Sequence, residues 1–214
     1  MFILSASKIK KIFILEDIKS ISYFDNGKKF NLTRGNPKIK TSYNKYFISL
    51  TNKFYILPKE SNLLFRDNDI QNTISLDFNA SYKKINRTNN LTFNYQTKNK
   101  KNNKHISNIL YSNIYKSEES EGIYFSIIEK KIILLYTQNK KLIFYNQFDF
   151  NKNNYIKYLV LLFDEFNLDQ ERDNLTYISS EIDENKIINQ LKYYFKKIIK
   201  YKKSIFKIII EENA

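Results

Sequence analysis

Four carboxylates, Asp149, Asp164, Glu165 and Asp169, fall within YNQFDFNKNNYIKYLVLLFDEFNLD, the stretch from Tyr145 to Asp169. At this density carboxylates could hold a divalent cation or work as an acid and base pair, provided that their oxygens converge on one point. Their placement argues otherwise. Asp149 ends a strand-like run, Asp164 and Glu165 lie on a helical one whose Phe163 and Phe166 face inward, and Asp169 follows in a turn. They read as rim and turn residues, so neither a metal nor a catalytic set is expected from them. His105 is the one histidine, and there is no cysteine. Zinc sites and serine triads need histidine with partners, so those classes are nearly excluded, as are disulfides and thiol nucleophiles. The sequence around it, TKNKKNNKHISN from Thr97 to Asn108, has no apolar periodicity before Ile106. It reads as an exposed loop, with His105 exposed in it.

Phosphate cradles need glycine where the backbone must approach the phosphates, and the chain has only Gly27, Gly35 and Gly122. Neither GxxxxGK[ST] nor GxGxxG occurs. DNG at Asp25 to Gly27 has the chemistry of a type I′ hairpin turn, which requires positive φ at both central residues. Lysine is the more abundant binding group. Lys98, Lys100, Lys101 and Lys104 crowd the middle stretch. A helical reading of the C-terminal region puts Lys192, Lys196, Lys200 and Lys203 on one face, with Tyr193 and Tyr194 beside its apolar stripe. These eight lysines are the candidate nucleic-acid contacts, although a lysine face on a helix is ordinarily solvation.

The net charge of +14 and the pI near 9.6 would suit a polyanionic partner. Codon bias supplies a second cause, because Lys, Asn, Ile, Phe and Tyr, all spelled by AT-rich codons, dominate the chain. Arginine, which grips phosphate with a two-pronged fork, occurs only at Arg34, Arg66, Arg87 and Arg172. NAS at Asn79 and NRT at Asn86 match the glycosylation pattern as chance products of the same richness in asparagine. The start, MFILSASKIKKIFILED, has too short an apolar run for a signal peptide, and YLVLLF is far below the ~20 residues of a spanning helix. A cytoplasmic protein that meets no membrane is expected.

A hydrophobic share of 42% is enough for a proper core. KIFILED, SISYF, KKFNL, YFISL, KFYILP, TISLDF and NLTFNYQT read as strands, RGNP as a break and KESNLLF as a short helix. YKSEESEG separates two compositional halves, which suggests a mostly β lobe over residues 1–117 and a second lobe over 118–214. In the second, IYFSII, KIILLYT and KLIFYNQF form a meander. Ile156, Leu159, Val160, Phe163 and Phe166 mark a helix, NLTYIS a strand, and Ile187, Ile188, Leu191, Phe195, Ile198 and Ile199 a helix from about Asp183. SIFKIIIE closes as a strand. The order β-β-β-α-β-α-β predicts a layered α/β or α+β arrangement.

KFYILPKESNLLF, followed by the segment from Lys141 to Ile198, resembles a bacterial family catalogued as domain of unknown function 3822 (DUF3822). The resemblance runs from Phe54 onward. It is carried by a proline-ended strand before a short LF helix, then by Leu142, Asn146 and Phe148, by Leu168 and Asp169, and by Leu175. That family looks like a degenerate relative of the actin, hsp70 and sugar-kinase ATPases, a two-lobed, ribonuclease H-like architecture with a helix-flanked mixed sheet in each lobe. In working ATPases of the fold the first hairpin of each lobe carries an Asp and Gly phosphate loop, and the matching YFSIIEKKIILLY has neither. The strand after the helix should end in glycine, where LTYISSE has Ser179 and Ser180. The resemblance therefore implies a pseudo-ATPase: no catalysis, cofactor or small-molecule substrate, and a scaffold role with a protein partner or a second copy. The alternative is an RNA-binding or ribosome-associated factor.

Overall fold

The computed structural model describes residues 11–16, 21–25, 28–32, 44–58, 82–97, 103–118, 120–151, 154–180 and 184–213. For 21–25, 28–32, 82–88 and 184 only the backbone is described. The chain divides into two compact units, Met1–Asn108 and Ile109–Ala214. The expected short helix in KESNLLF, the strand TISLDF and the break RGNP lie outside the described residues, as do Lys98, Lys100 and Lys101.

The first unit contains β1 (Lys11–Glu16), β2 (Ile21–Asp25), β3 (Lys28–Leu32), β4 (Asn44–Ser49), β5 (Phe54–Pro58), β6 (Tyr82–Thr88), β7 (Leu91–Thr97) and β8 (Asn103–His105). Its main sheet has the order β3-β2-β1-β4-β8, and the inserted β5, β7 and β6 form a second, antiparallel sheet. β1, β2 and β3 are an antiparallel meander, while β4 and β8 run parallel to β1. β2 and β3 pair with Asp25 opposite Lys28, and Asn26 and Gly27 of the expected DNG turn lie outside the described residues. From Ile12 to Glu16 every residue of β1 is buried, as expected of a strand flanked on both sides.

Helix α1 (Ile106–Tyr115) crosses the division between the units. The second unit continues with β9 (Gly122–Ile128), β10 (Lys131–Gln138), β11 (Lys141–Asp149), α2 (Tyr155–Glu165), β12 (Leu175–Tyr177), α3 (Glu184–Leu191), β13 (Ile198–Lys200) and α4 (Ile205–Glu211). Its sheet order, β11-β10-β9-β12-β13, repeats the first: an antiparallel meander whose first strand takes two parallel neighbours in succession. Leu159, Leu162 and Phe163 of α2 and Ile187 and Leu191 of α3 pack with Ile123, Phe125 and Ile127 of β9 in one core cluster. Phe148 stacks on Tyr158 at 4.2 Å, and Phe163 meets Phe195 at 4.8 Å. Asn167, at φ 52°, ends α2: its N–H donates to Asp164 and that of Leu168 to Phe163, the paired bonds of a Schellman cap. Among the described residues no helix is long and apolar enough to cross a membrane.

The C-terminal region departs from the periodicity reading in two places. The helix expected to run through Ile199 stops at Leu191, and Ile198–Lys200 is a strand. Lys196 donates its N–H to the Gln170 carbonyl, and the Lys197 carbonyl accepts from Leu175, drawing the chain onto the sheet. Helix propensities differ by well under about 1 kcal/mol per residue, whereas burying one large apolar side chain is worth roughly 1.5–3 kcal/mol, so packing decides. The segment SIFKIIIE is a helix where a strand was expected. Ser204 caps it by accepting from the Lys207 N–H at 3.3 Å, and Ile205, Phe206, Ile208 and Ile209 are buried at helical spacing.

The expected loop from Thr97 to Asn108 is corrected as well. Thr97 ends β7, and Asn103–His105 pairs with β4, Ser49 opposite His105. His105 is fully buried, between Phe54 at 4.9 Å and Tyr95 at 5.2 Å. Nε2 lies 3.0 Å from the Thr51 carbonyl, to which it donates, so Nδ1 is the acceptor, with the Ser107 hydroxyl at 2.6 Å and the Ser107 N–H at 3.3 Å. Burial pushes its pKa down to about 4, against the raising effect of the Thr51 bond. The unfolded chain therefore takes up the proton first. The stability that follows is complete above pH 6.5 and drains as the pH falls toward 4. Denaturant titrations from pH 7.5 to 5, where no other side chain type ordinarily titrates, should show a loss of about 2 kcal/mol. His105→Gln should remove that slope, and an unchanged slope in the variant would refute the assignment.

Candidate functional site

The four carboxylates do not meet. Asp149 pairs with Lys131 at 2.6 Å, and Asp164 and Glu165 are exposed near the end of α2. Asp169 shapes its own loop, accepting the Glu171 N–H at 2.8 Å and lying 3.5 Å from the Arg172 guanidinium. Among the described residues no group of three or more histidines and carboxylates could hold a metal ion.

The candidate lysines are distributed differently from the single helix face expected of them. Lys104 is half-buried in β8. Lys192 follows α3, Lys196 precedes β13, Lys200 ends that strand, and Lys203 lies between β13 and α4. They are not on one helix, because α3 ends at Leu191 and Ile198–Lys200 is a strand. Lys203 bonds Glu211 at 2.6 Å, and that bond, first among the causes, raises its pKa. The strand instead brings together residues that periodicity could not group. Lys192, Lys196, Lys197, Lys200 and Lys202 are exposed around β13, with Tyr193 86%, Tyr194 49% and Ile199 42% exposed. Among the described residues β13 is an end strand of its sheet. The missed contributors are Lys197 and Lys202, and the available signal was the β-branched pair Ile198-Ile199 bounded by lysines.

Beyond β13 the chain borders a groove of about 230 Å³ formed with the end of α1 and the end of α4. Glu212 organises it. Its carboxylate accepts from Ser112 at 2.9 Å, Asn113 at 3.3 Å and Lys116 at 2.9 and 3.0 Å. Burial alone would raise the Glu212 pKa, but these hydrogen bonds outweigh it and hold the carboxyl below its usual range. Asn113 also accepts from the Tyr201 hydroxyl at 3.2 Å. The surface offers recognition: ammonium groups, phenol faces and an open strand edge.

The hairpin between β9 and β10 is tight. Register Ile128↔Lys131 leaves only Glu129 and Lys130 between β9 and β10, with Glu129 at φ 53°. After β12, Ser179 and Ser180 are buried, and the Ser179 carbonyl accepts from the Ile205 N–H at 2.9 Å.

The family model described as protein of unknown function (DUF3822) matches residues 88–198, just over half of the chain. Among solved structures, the chain is similar over 99% of both lengths to a Bacteroides thetaiotaomicron protein with an actin-like ATPase fold and unknown function, at TM-score 0.73 and 15% identity. It also aligns with the cytoplasmic domain of EpsL, an inner membrane component of the type II secretion system of Vibrio cholerae. That alignment has a TM-score of 0.37 and 5% identity over 95% of this chain and 94% of the other. Comparison with curated proteins finds no match. The repeated sheet order and the structural likeness assign the actin-like ATPase fold, and the chain belongs to the DUF3822 family of proteins of unknown function.

Proposed function

We propose that this protein is a non-catalytic binding protein, a pseudo-ATPase that uses its fold as a rigid scaffold for a macromolecular partner. The observation that carries the reading is the hairpin between β9 and β10. A two-residue connection bearing a carboxylate leaves no glycine-lined cradle for a polyphosphate, and Glu129 adds like charge where phosphate would have to sit. The buried Ser179-Ser180 segment, bonded to the start of α4, supports it, since a nucleotide would need backbone there to be approachable. ATP with magnesium should leave the melting temperature unchanged. A nucleotide at a hundred times its dissociation constant would add about 2.7 kcal/mol, so a saturable upward shift would overturn the proposal.

An RNA partner is the second reading, favoured by the exposure of Tyr193 among lysines, a combination that suits stacking on single strands. RNA affinity would then fall steeply with salt. Reversing Lys192, Lys196 and Lys200 to Glu should flatten the dependence of log K on log salt by about 2, at roughly 0.7 per phosphate contact. An unaltered slope would dismiss the reading.

A further inference from the structure

We propose that the open edge of β13 accepts an extended acidic segment of a partner protein as an additional strand of the second unit's sheet. The inference rests on the binding-protein reading and supplies the class of partner.

Among the described residues β13 has one neighbour, β12. The ladder between them is bracketed by bonds from the Leu175 N–H to the Lys197 carbonyl and from the Tyr201 N–H to the Tyr177 carbonyl, which places Ile199 in the paired register. In a parallel ladder successive residues alternate, so the N–H and C=O of Ile198 face away from β12 and toward the open side. An added strand completes such groups, and side chains on alternate faces supply selectivity. Ile198 packs into the core, which leaves Ile199 on the opposite, exposed face, with Tyr193 and Tyr194 just before the strand.

Charge selects the occupant. From Lys192 to Ser204 there is no acidic residue, and lysines flank the strand at both ends. The Lys196 N–H bonds the Gln170 carbonyl in a loop that carries Asp169 and Asp173, but both serve that loop: Asp173 accepts the Asp169 N–H at 2.7 Å, and Asp169 holds Glu171 and Arg172. A second copy paired through the same edge would set lysine against lysine, which is destabilising. RNA could meet the charge but could not complete a ladder, and the stretch has none of the arginine that phosphate recognition favours. Lysine on an edge strand ordinarily guards against aggregation. Exposed Ile199, Tyr193 and Tyr194 do the reverse, since they offer apolar surface to an incoming strand.

The test uses three labelled probes in fluorescence anisotropy with the whole chain: an alternating Glu-Val peptide, the same peptide N-methylated along one edge, and a single-stranded oligouridylate. The Glu-Val peptide should bind saturably, and N-methylation, which preserves charge and side chains but removes ladder donors, should weaken it tenfold or more. Lys196→Glu with Lys197→Glu, both exposed, should weaken it at least as much without lowering the melting temperature. Equal binding of the methylated peptide, indifference to the double variant, or oligouridylate displacing the peptide as the tighter ligand would each overturn the inference. Should the peptide fail while the chain still purifies with a fixed partner, the edge inference falls and the binding-protein reading stands. Stabilisation by ATP would instead remove that reading itself.

Discussion

β9 is buried on both faces, and the second unit is arranged around that constraint. Ile123, Phe125 and Ile127 lie in the cluster covered by α2 and α3. Tyr124, Ser126 and Ile128, which alternate with them, are buried too, Tyr124 meeting the ring of Tyr201 at 6.0 Å. A strand of this kind cannot be left at an edge or with a solvated face. It needs β10 on one side, β12 on the other and cover above and below, which is the layered solution that a sheet with parallel neighbours requires. Ser126 is the polar exception, and its hydroxyl donates to the Ile178 carbonyl at 2.8 Å, tying β9 to the exit from β12.

The same exit fixes the C-terminal region. The Tyr177 carbonyl receives the Tyr201 N–H and the Ser179 carbonyl receives that of Ile205, so β12 holds both the end of β13 and the start of α4. Helix α4 then delivers Glu212 to Ser112, Asn113 and Lys116 of α1 and the turn after it. A carboxylate that is partly buried would be costly alone. Four hydrogen bonds from three residues, one of them charged, offset that cost and define the groove beside β13.

Sheet order and phosphate binding depend on different residues. The sheet order follows from apolar strands and their register. Phosphate binding depends on glycine and open backbone at strand exits, and those exits here carry Glu129 in a tight turn and a buried Ser179-Ser180 pair. What the second unit presents outward is a short edge strand set among lysines and tyrosines.

How much of this was legible in the chain depended on whether a local pattern had one physical solution. The meander could be read because KIILLYT and KLIFYNQF are β-rich runs separated by turn residues, and α2 because its apolar residues recur at 3.6 spacing. The order of these features also led to the family and the two-lobed fold. Lys196-Lys197-Ile198-Ile199-Lys200 had two solutions, since its isoleucines continue a helical stripe as readily as they make a short strand. Only contacts across more than twenty residues, the bonds from Leu175 to the Lys197 carbonyl and from Tyr201 to the Tyr177 carbonyl, decided for the strand. Ile205 to Glu211 misled in the opposite sense: β-branched residues favour strands until burial of Ile205, Phe206, Ile208 and Ile209 along one helix face and the Ser204 cap make a helix more favourable. His105 shows the limit most plainly. The residues that precede it in sequence are lysine and asparagine, and its neighbours in space are Phe54, Tyr95 and Thr51, brought to it by β4, β5 and β7. The sequence by itself determined the meander of β9, β10 and β11, the helix α2 and the scarcity of glycine. Tertiary structure alone decided which lysines share a surface and that the one histidine is buried and neutral, because both depend on long-range pairing that no local pattern encodes.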